Sequence, residues 1–291
     1  MPKHKKQHNL PKFYLKGFSK EIKFKGNRQN VLWYYDKTSK TIGCKSVENL
    51  ACESYYYSYK INNNQYDLSF EKLLSKNENE AAEILKKIEN DIKIIIKNFN
   101  KTGKFKFQYR VLSDDDKKIV SKFIFYMLKR VPVFMDKLER DWRIEYEKLL
   151  IKKNHNFDND EFQKWKMYFL KEIGVGDDYN FVNVFLKKNY ELLYNNSDIS
   201  SFITVDNPFM VENPVGNPGF AYPETNIIFP LSKKLLLRLF DFGKKEEVKK
   251  VYSQNHLFNI NLALARYSYN LIFSDNEIYL KKILKKLSLD F

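Results

Sequence analysis

The sequence predicts an α+β fold: a mixed or antiparallel sheet built from N- and C-terminal segments, with a large helical insertion between them. Three observations carry this. Residues 21–47 form short β-type runs broken by turn signals. Between 66 and 196 the apolar residues recur instead at three- and four-residue steps. From 201 to 274 the β-type runs return. No internal repeat, Gly/Pro-rich linker or low-complexity tract interrupts the 291 residues. The expectation is therefore one domain over 1–291, with segment 66–196 inserted between β segments 21–47 and 201–274.

The elements follow in order. In "HNLPKFYLKGF" (8–18), Asn9 ahead of Pro11 reads as a helix start, because proline suits the first helical turn. Gly17 reads as its end, which gives a helix over 10–16. Tyr14, Leu15 and Phe18 fall at helical spacing and share one face. Gly26-Asn27 and Lys37–Ser39 are turn signals, so 21–47 reads as a three-stranded antiparallel meander. The tyrosine-rich stretch 48–66 reads as loop.

From 68 the pattern is helical. Leu73, Leu74, Ala81, Ile84, Leu85, Ile88, Ile92 and Ile95 make one apolar stripe, and "TGK" at 102–104 reads as its stop. Ser113 with Asp116 three residues on is an N-terminal cap, and this helix runs to about 129, where Pro132 ends or kinks it. A charged helix continues to about 152, and two more are expected near 159–172 and 178–195. Beyond them, 201–206, 226–231, 235–242 and 266–274 read as strands, and 246–264 as a helix. Pro230 inside a strand-like run predicts an edge strand or a bulge. The terminal helix "NEIYLKKILKKL" directs Ile278, Leu280, Ile283, Leu284 and Leu287 toward the protein.

Composition bounds the function classes. No apolar run reaches the roughly 20 residues of a membrane span, and the N-terminus lacks the apolar stretch of a secretory signal. Cys44 and Cys52 sit in no C-x-x-C, and with four histidines they make no zinc signature; they read as reduced thiols of a cytoplasmic protein. The formal charge of +15 suggests a polyanionic partner. The same lysine, asparagine, isoleucine, tyrosine and phenylalanine bias also arises from an AT-rich genome. Distribution says more: residues 1–30 hold nine Lys or Arg and one acid, Glu21. Lys3, Lys5, Lys6, Lys12 and Lys16 are accordingly the candidate nucleic-acid contacts.

No P-loop, G-x-S-x-G, H-E-x-x-H or dinucleotide fingerprint is present. Weaker constellations remain. His8 suits a general base or metal ligand, or a hydrogen-bonded anchor. Asp206 in "TVDNPF" suits a functional carboxylate at a strand end, or a turn whose side chain bonds nearby amides. Arg130, one of only seven arginines, offers a planar fork to phosphate, or a favourable charge at a helix C-terminus. Glu78, Glu80 and Glu83 form an acidic trio. Glu78 with Asp206 is the candidate set for Mg²⁺ or Mn²⁺, against the reading of a solvated helix face.

Taken in order, these pieces resemble a bacterial family, the one catalogued as domain of unknown function 4238. The resemblance rests on His8, Pro11, Tyr14, Leu15 and Phe18; on "VLWYYDK" and "VENLACESYYY"; and on Glu78 ahead of Ala81 and Ala82. It continues through Arg130 and Pro132, then Thr204, Asp206, Asn207 and Pro208, "FPLS", and "ALARYSYNLIFS". It implies a bacterial or phage-encoded cytoplasmic protein of a defence or toxin setting. It also implies that His8, Arg130 and Asp206 share one site, although a buried network serving stability alone would look the same. The leading expectation is a hydrolase acting on nucleic acid, RNA first. In it His8 is general acid and base, Arg130 and the lysines bind phosphate, and Asp206 orients His8 or ligates a metal. The alternatives are a non-enzymatic nucleic-acid-binding module and a protein-interaction component of a defence system.

Overall fold

The computed structural model describes residues 6–289 apart from 25, 63–64, 103–110, 154, 177, 214–215, 217–218, 244 and 252. β1 (Lys6–His8) and α1 (Lys12–Phe18) precede β2 (Lys20–Phe24), β3 (Asn27–Asp36) and β4 (Thr41–Ser46). Gly26, at φ 81°, makes the β2–β3 turn in the left-handed region that glycine enters at little cost. A 3₁₀ turn, Val47–Asn49, leads to β5 (Cys52–Ser54), β6 (Tyr59–Asn62) and β7 (Gln65–Asp67). Five helices follow: α2 (Ser69–Thr102), α3 (Asp114–Arg130), α4 (Pro132–Lys152), α5 (Asn159–Gly176) and α6 (Asp178–Leu186). Next come β8 (Lys188–Tyr194), β9 (Thr204–Val205), β10 (Met210–Glu212), β11 (Asn226–Ser232), β12 (Leu235–Phe242) and β13 (Glu246–Lys250). α7 (Gln254–Tyr267), β14 (Leu271–Ser274) and α8 (Glu277–Lys286) end the described chain.

The α+β expectation holds, and the sequence ends do meet in one sheet. β3 pairs antiparallel with β2, β4 and β14, and β14 pairs with β9. A second five-stranded sheet, ordered β10-β11-β12-β8-β13, is built wholly after the helices; all its pairs are antiparallel except β8 with β13.

α1 bolts the two sheets together. Tyr14, Leu15 and Phe18 are buried, and the Tyr14 ring packs 5.6 Å from Phe229 of β11. The Tyr14 hydroxyl donates to the Pro230 carbonyl at 2.9 Å and lies 2.8 Å from Thr204 Oγ1 of β9. One phenol thus ties α1 to a strand of each sheet. Gly17 lies against β11, where a Cβ would meet Ser232 Cβ at 3.4 Å, an ordinary van der Waals contact. α3 adds Phe123, centred 6.1 Å from Phe229, to the same core.

Helix ends follow local chemistry. Ser113 Oγ accepts from the Asp116 amide at 3.1 Å and Asp116 Oδ2 accepts from the Ser113 amide at 2.9 Å, the reciprocal cap expected there. Val131, at φ −69° and ψ 142°, ends α3, and Pro132 starts α4.

Several boundaries differ from the sequence reading. α1 begins at Lys12 and runs through Gly17 to Phe18, with Ser19 in extended backbone ending it. Asn9 does not cap it; the Asn9 amide donates to the Ala51 carbonyl at 2.7 Å. Residues 48–66 are not plain loop: β5 pairs with β1, and β6 with β7. The expected helix 178–195 stops at Leu186, and all seven residues of β8 are buried. Even Lys188 is enclosed, its Nζ donating to the Tyr222 carbonyl at 2.9 Å and the Thr225 carbonyl at 2.8 Å. The expected helix 246–264 is β13 and then α7, because Glu246 accepts the Leu112 amide at 2.9 Å and the segment pairs in parallel with β8. The expected strands 201–206 and 266–274 shrink to β9 and β14. Pro230 lies at a register shift of an inner strand, the bulge alternative. Ile278 faces solvent at 80% exposure, whereas Leu280, Ile283 and Leu284 are buried. Most of the expected stop at 102–104 lies outside the described residues.

Tyr14→Phe removes the hydroxyl and keeps the ring. It is expected to lower the unfolding free energy by about 1–2 kcal/mol, read from chemical denaturation.

Candidate functional site

Four separate segments converge on a polar cavity of about 300 Å³ lined by Lys6, His8, Lys12, Glu48 of the 3₁₀ turn, Glu71, Glu78 and Arg130. β1 supplies Lys6 and His8, held by pairing of His8 with Cys52 of β5. The opening of α1 supplies Lys12. α2 supplies Glu71 and Glu78, seven residues and so two turns apart on one face. The last residue of α3 supplies Arg130.

Arg130 organises these pieces. It is 2% exposed, and a buried guanidinium has to be paired. Its Nη1 donates to Glu78 Oε1 and its Nη2 to the His8 backbone carbonyl. Its own carbonyl accepts the Tyr57 hydroxyl at 2.8 Å, and its guanidinium lies 5.5 Å from the centre of the Tyr57 ring. Gln7 secures Tyr57 in turn: its Oε1 accepts the Tyr57 amide, while its Nε2 donates to Ser58 Oγ at 2.6 Å. The expected phosphate fork is thereby corrected. Both terminal nitrogens of Arg130 are committed inside the protein.

His8 is half-buried and its Nε2 is enclosed without a hydrogen-bond partner. Burial, aided by the charges of Lys12 and Arg130, lowers its pKa to about 4 against the pull of Glu48. The imidazole is therefore neutral near pH 7, with a lone pair available. Glu71 Oε2 is likewise buried without a partner. Burial and then nearby Glu78 push the Glu71 carboxyl above the usual range, while Arg130 opposes. A neutral base and a carboxyl whose pKa burial raises line one cavity, two groups that can exchange protons with a ligand there. Lys12 pairs with Glu48 at the rim, and Lys6 Nζ donates to Asn49 Oδ1 at 2.7 Å.

Asp206 belongs elsewhere. It does not line this cavity. Its carboxylate accepts the backbone amides of Tyr269 at 2.8 Å, Asn270 at 2.6 Å and Leu271 at 2.9 Å. It closes the turn between α7 and β14. Burial raises its pKa, opposed by the three amides and Lys37. The structure thus joins His8 to Arg130 and leaves Asp206 out. The expected metal pair separates as well: Glu78 sits on Arg130 and Asp206 on its amides, while Glu80 and Glu83 are exposed. Among the described residues no group of three or more His, Cys, Asp or Glu side chains is placed to hold a metal ion. Of the candidate lysines, Lys6 and Lys12 line the cavity and Lys16 is exposed away from its lining; Lys3 and Lys5 lie outside the described residues.

Sequence reasoning missed Glu71, Glu48, Tyr57 and Gln7. For Glu71 a signal existed. It sits three residues before buried Leu74, as Glu78 sits three before buried Ala81, so both acids edge the apolar stripe of α2.

With that geometry as premise, the chain belongs to the family described as "Protein of unknown function (DUF4238)", whose family model matches residues 6–277. No curated protein and no solved structure matches it significantly. None of its described helices is long and apolar enough to cross a membrane. The match runs from β1 through α3 and beyond, and so takes in every residue that lines the cavity.

Two outcomes are expected. Because the folded pKa of His8 (about 4) lies below its unfolded value (6.5), the unfolded chain takes up the proton first on acidification. The stabilising contribution of His8 is complete above pH 6.5 and disappears as pH falls to about 4. His8→Gln should flatten the stability profile across that window by about 1–2 kcal/mol after allowance for solvent screening, as measured by denaturant titrations at successive pH values. Asp206→Ala is expected to cost about 2–4 kcal/mol of stability, since three buried amides lose their acceptor.

Proposed function

We propose that this protein is a nuclease acting on RNA, with His8 and Glu71 as its acid–base pair. The supporting observation is the shared cavity in which His8 Nε2 and Glu71 Oε2 are both buried and unpartnered. RNA carries its own nucleophile beside each phosphate. A base that removes the 2′-OH proton and an acid that protonates the departing 5′ oxygen are therefore sufficient. The 2′ oxygen forms its bond to phosphorus as the 5′ oxygen leaves, which yields a 2′,3′-cyclic phosphate and a free 5′-OH. His8 takes the proton and Glu71 supplies one. Lys6 and Lys12 contact phosphate, Lys12 exchanging Glu48 for it. Arg130 is a positioning residue that fixes the backbone of His8. The net charge of +15 favours capture of a polyanion.

A second reading, nucleic-acid binding without cleavage, is favoured by the net charge of +15, which attracts a polyanion whether or not it is cleaved. One experiment separates the two. The purified chain is incubated with RNA and with DNA, in Mg²⁺, Mn²⁺ or EDTA, beside His8→Ala and Glu71→Gln. RNA cleavage to cyclic-phosphate ends is expected in every condition. The rate should fall by about 10²–10⁴ in His8→Ala. Folded protein that leaves RNA intact, yet binds it with steep salt dependence even as His8→Ala, would establish the second reading instead.

A further inference from the structure

The His8 cavity has little free charge to offer a polyanion. Lys12 pairs there with Glu48 and Arg130 with Glu78, which leaves Lys6 against the further acid Glu71. A second cavity, of about 440 Å³, lies between α7 and one face of the sheet β10-β11-β12-β8-β13. Its floor is apolar, made of buried Leu193, Met210, Ile228 and Leu236. Its cations are committed as well. Lys249 Nζ lies 2.6 Å from Glu191 Oε1 and 2.7 Å from Glu247 Oε2, and Arg238 Nη1 lies 3.4 Å from Glu191 Oε2.

α8 is different. Ile278, Lys281, Lys282 and Lys285 fall at the i, i+3, i+4, i+7 spacing of one helical face, and Lys286 adjoins them. All five are exposed, whereas Leu280, Ile283 and Leu284 are buried. α8 itself sets one acid against the four lysines: Glu277, whose Oε1 lies 2.7 Å from Lys281 Nζ. Lys282 Nζ lies 5.0 Å from the centre of the Phe258 ring of α7, a contact that leaves its charge uncancelled. Asp275, just before the helix, is taken by Lys233 at 3.5 Å. Among the described residues neither Lys285 nor Lys286 has an acidic partner. Helix energetics do not ask for this arrangement. The macrodipole favours cations in the last turn, which accounts for Lys285 and Lys286. Lys281 and Lys282 stand a turn earlier, each four residues before another lysine, and like charges at that spacing destabilise a helix. Glu277 offsets this for Lys281 but not for Lys282.

We infer that the outer face of α8 is a docking surface for the phosphate backbone of RNA, separate from the His8 cavity. The identity of the polyanion rests on the RNA reading above; the positive face does not. Lysines four apart on a helix stand about 6 Å apart along its axis. Lys281 with Lys285, and Lys282 with Lys286, thus make two short rows of point charges. Such rows follow a backbone rather than grip one phosphate, for which an arginine fork would serve better. A membrane surface fits this face less well. An interfacial helix buries a whole apolar face in lipid, and α8 turns its own toward the protein core, with Ile278 alone outside.

Fluorescence anisotropy of a labelled 2′-O-methylated oligouridine, titrated with the full chain over a salt series, tests this. The probe lacks the 2′ nucleophile, so the outcome does not depend on cleavage at His8. Two fourfold variants of equal net charge are compared, all at exposed positions. One carries Lys281→Gln, Lys282→Gln, Lys285→Gln and Lys286→Gln; the other carries Lys76→Gln, Lys86→Gln, Lys93→Gln and Lys97→Gln on α2. The α8 variant is expected to bind about tenfold or more weakly at low salt, and its slope of log K against log salt to be shallower by about 2–3. The α2 variant should stay within about threefold of the parent chain. Vesicles of phosphatidylserine serve as the second anionic probe. Four results would overturn the inference: no saturable RNA binding by folded protein at low salt, affinity unchanged in the α8 variant, equal loss in both variants, or tighter α8-dependent binding to the vesicles than to RNA. RNA bound through α8 but never cleaved would remove the nuclease reading and leave this one standing.

Discussion

A buried cation must find its countercharge inside the protein, and for Arg130 that requirement fixes the relation of three segments. Its guanidinium takes Glu78 from α2 and the His8 carbonyl from β1, and its own carbonyl takes Tyr57. Removing any one partner leaves charge or polar groups stranded in a poorly solvated place. The consequence is rigidity at β1, a strand of only three residues that would have little stability alone. The imidazole of His8 inherits that rigidity. Its place on the cavity follows from Arg130 holding the backbone beneath it, and its depressed pKa follows from burial first, with the charges of Lys12 and Arg130 adding to it.

Much of this was legible in local sequence. Ser113 and Asp116 cap α3 as their spacing implies, because a capping box lies within four residues. The stripe from Leu74 to Ile95 faces the interior because amphipathic periodicity is local too. The rarity of arginine correctly marked Arg130 as exceptional, but not why: a planar donor fork serves a buried scaffold as well as a phosphate. The partners of Asp206 lie 63 to 65 residues further along the chain, so no spacing rule reaches them. The run 188–194 looked helical because a strand buried on both faces carries no alternation to read. β13 was masked by its charges, since Glu246 and Lys249 are neutralised by residues from other elements.

The two cavities differ in kind. The one at His8 is made where the N-terminal strand, the 3₁₀ turn and the first turns of α2 close on an arginine at the end of α3, and its enclosed groups are titratable. The one under α7 belongs to a single sheet and its covering helix, and its enclosed groups are mainly apolar. Tyr14 stands between the two regions, with its hydroxyl on β11 of one sheet and beside Thr204 of the other.

The pairing of β3 with β14 joins residues 33–36 to 271–274. A ribosome must therefore release everything between residues 36 and 271, and β14 itself, before β3 obtains that neighbour. Throughout that interval the longest strand of the meander carries an unpaired, partly apolar margin, the kind of margin on which nascent chains associate wrongly. Premature termination anywhere in the last twenty residues before 274 would leave it permanently open. The burden of late closure thus falls on whatever chaperones attend the emerging chain, rather than on the finished molecule.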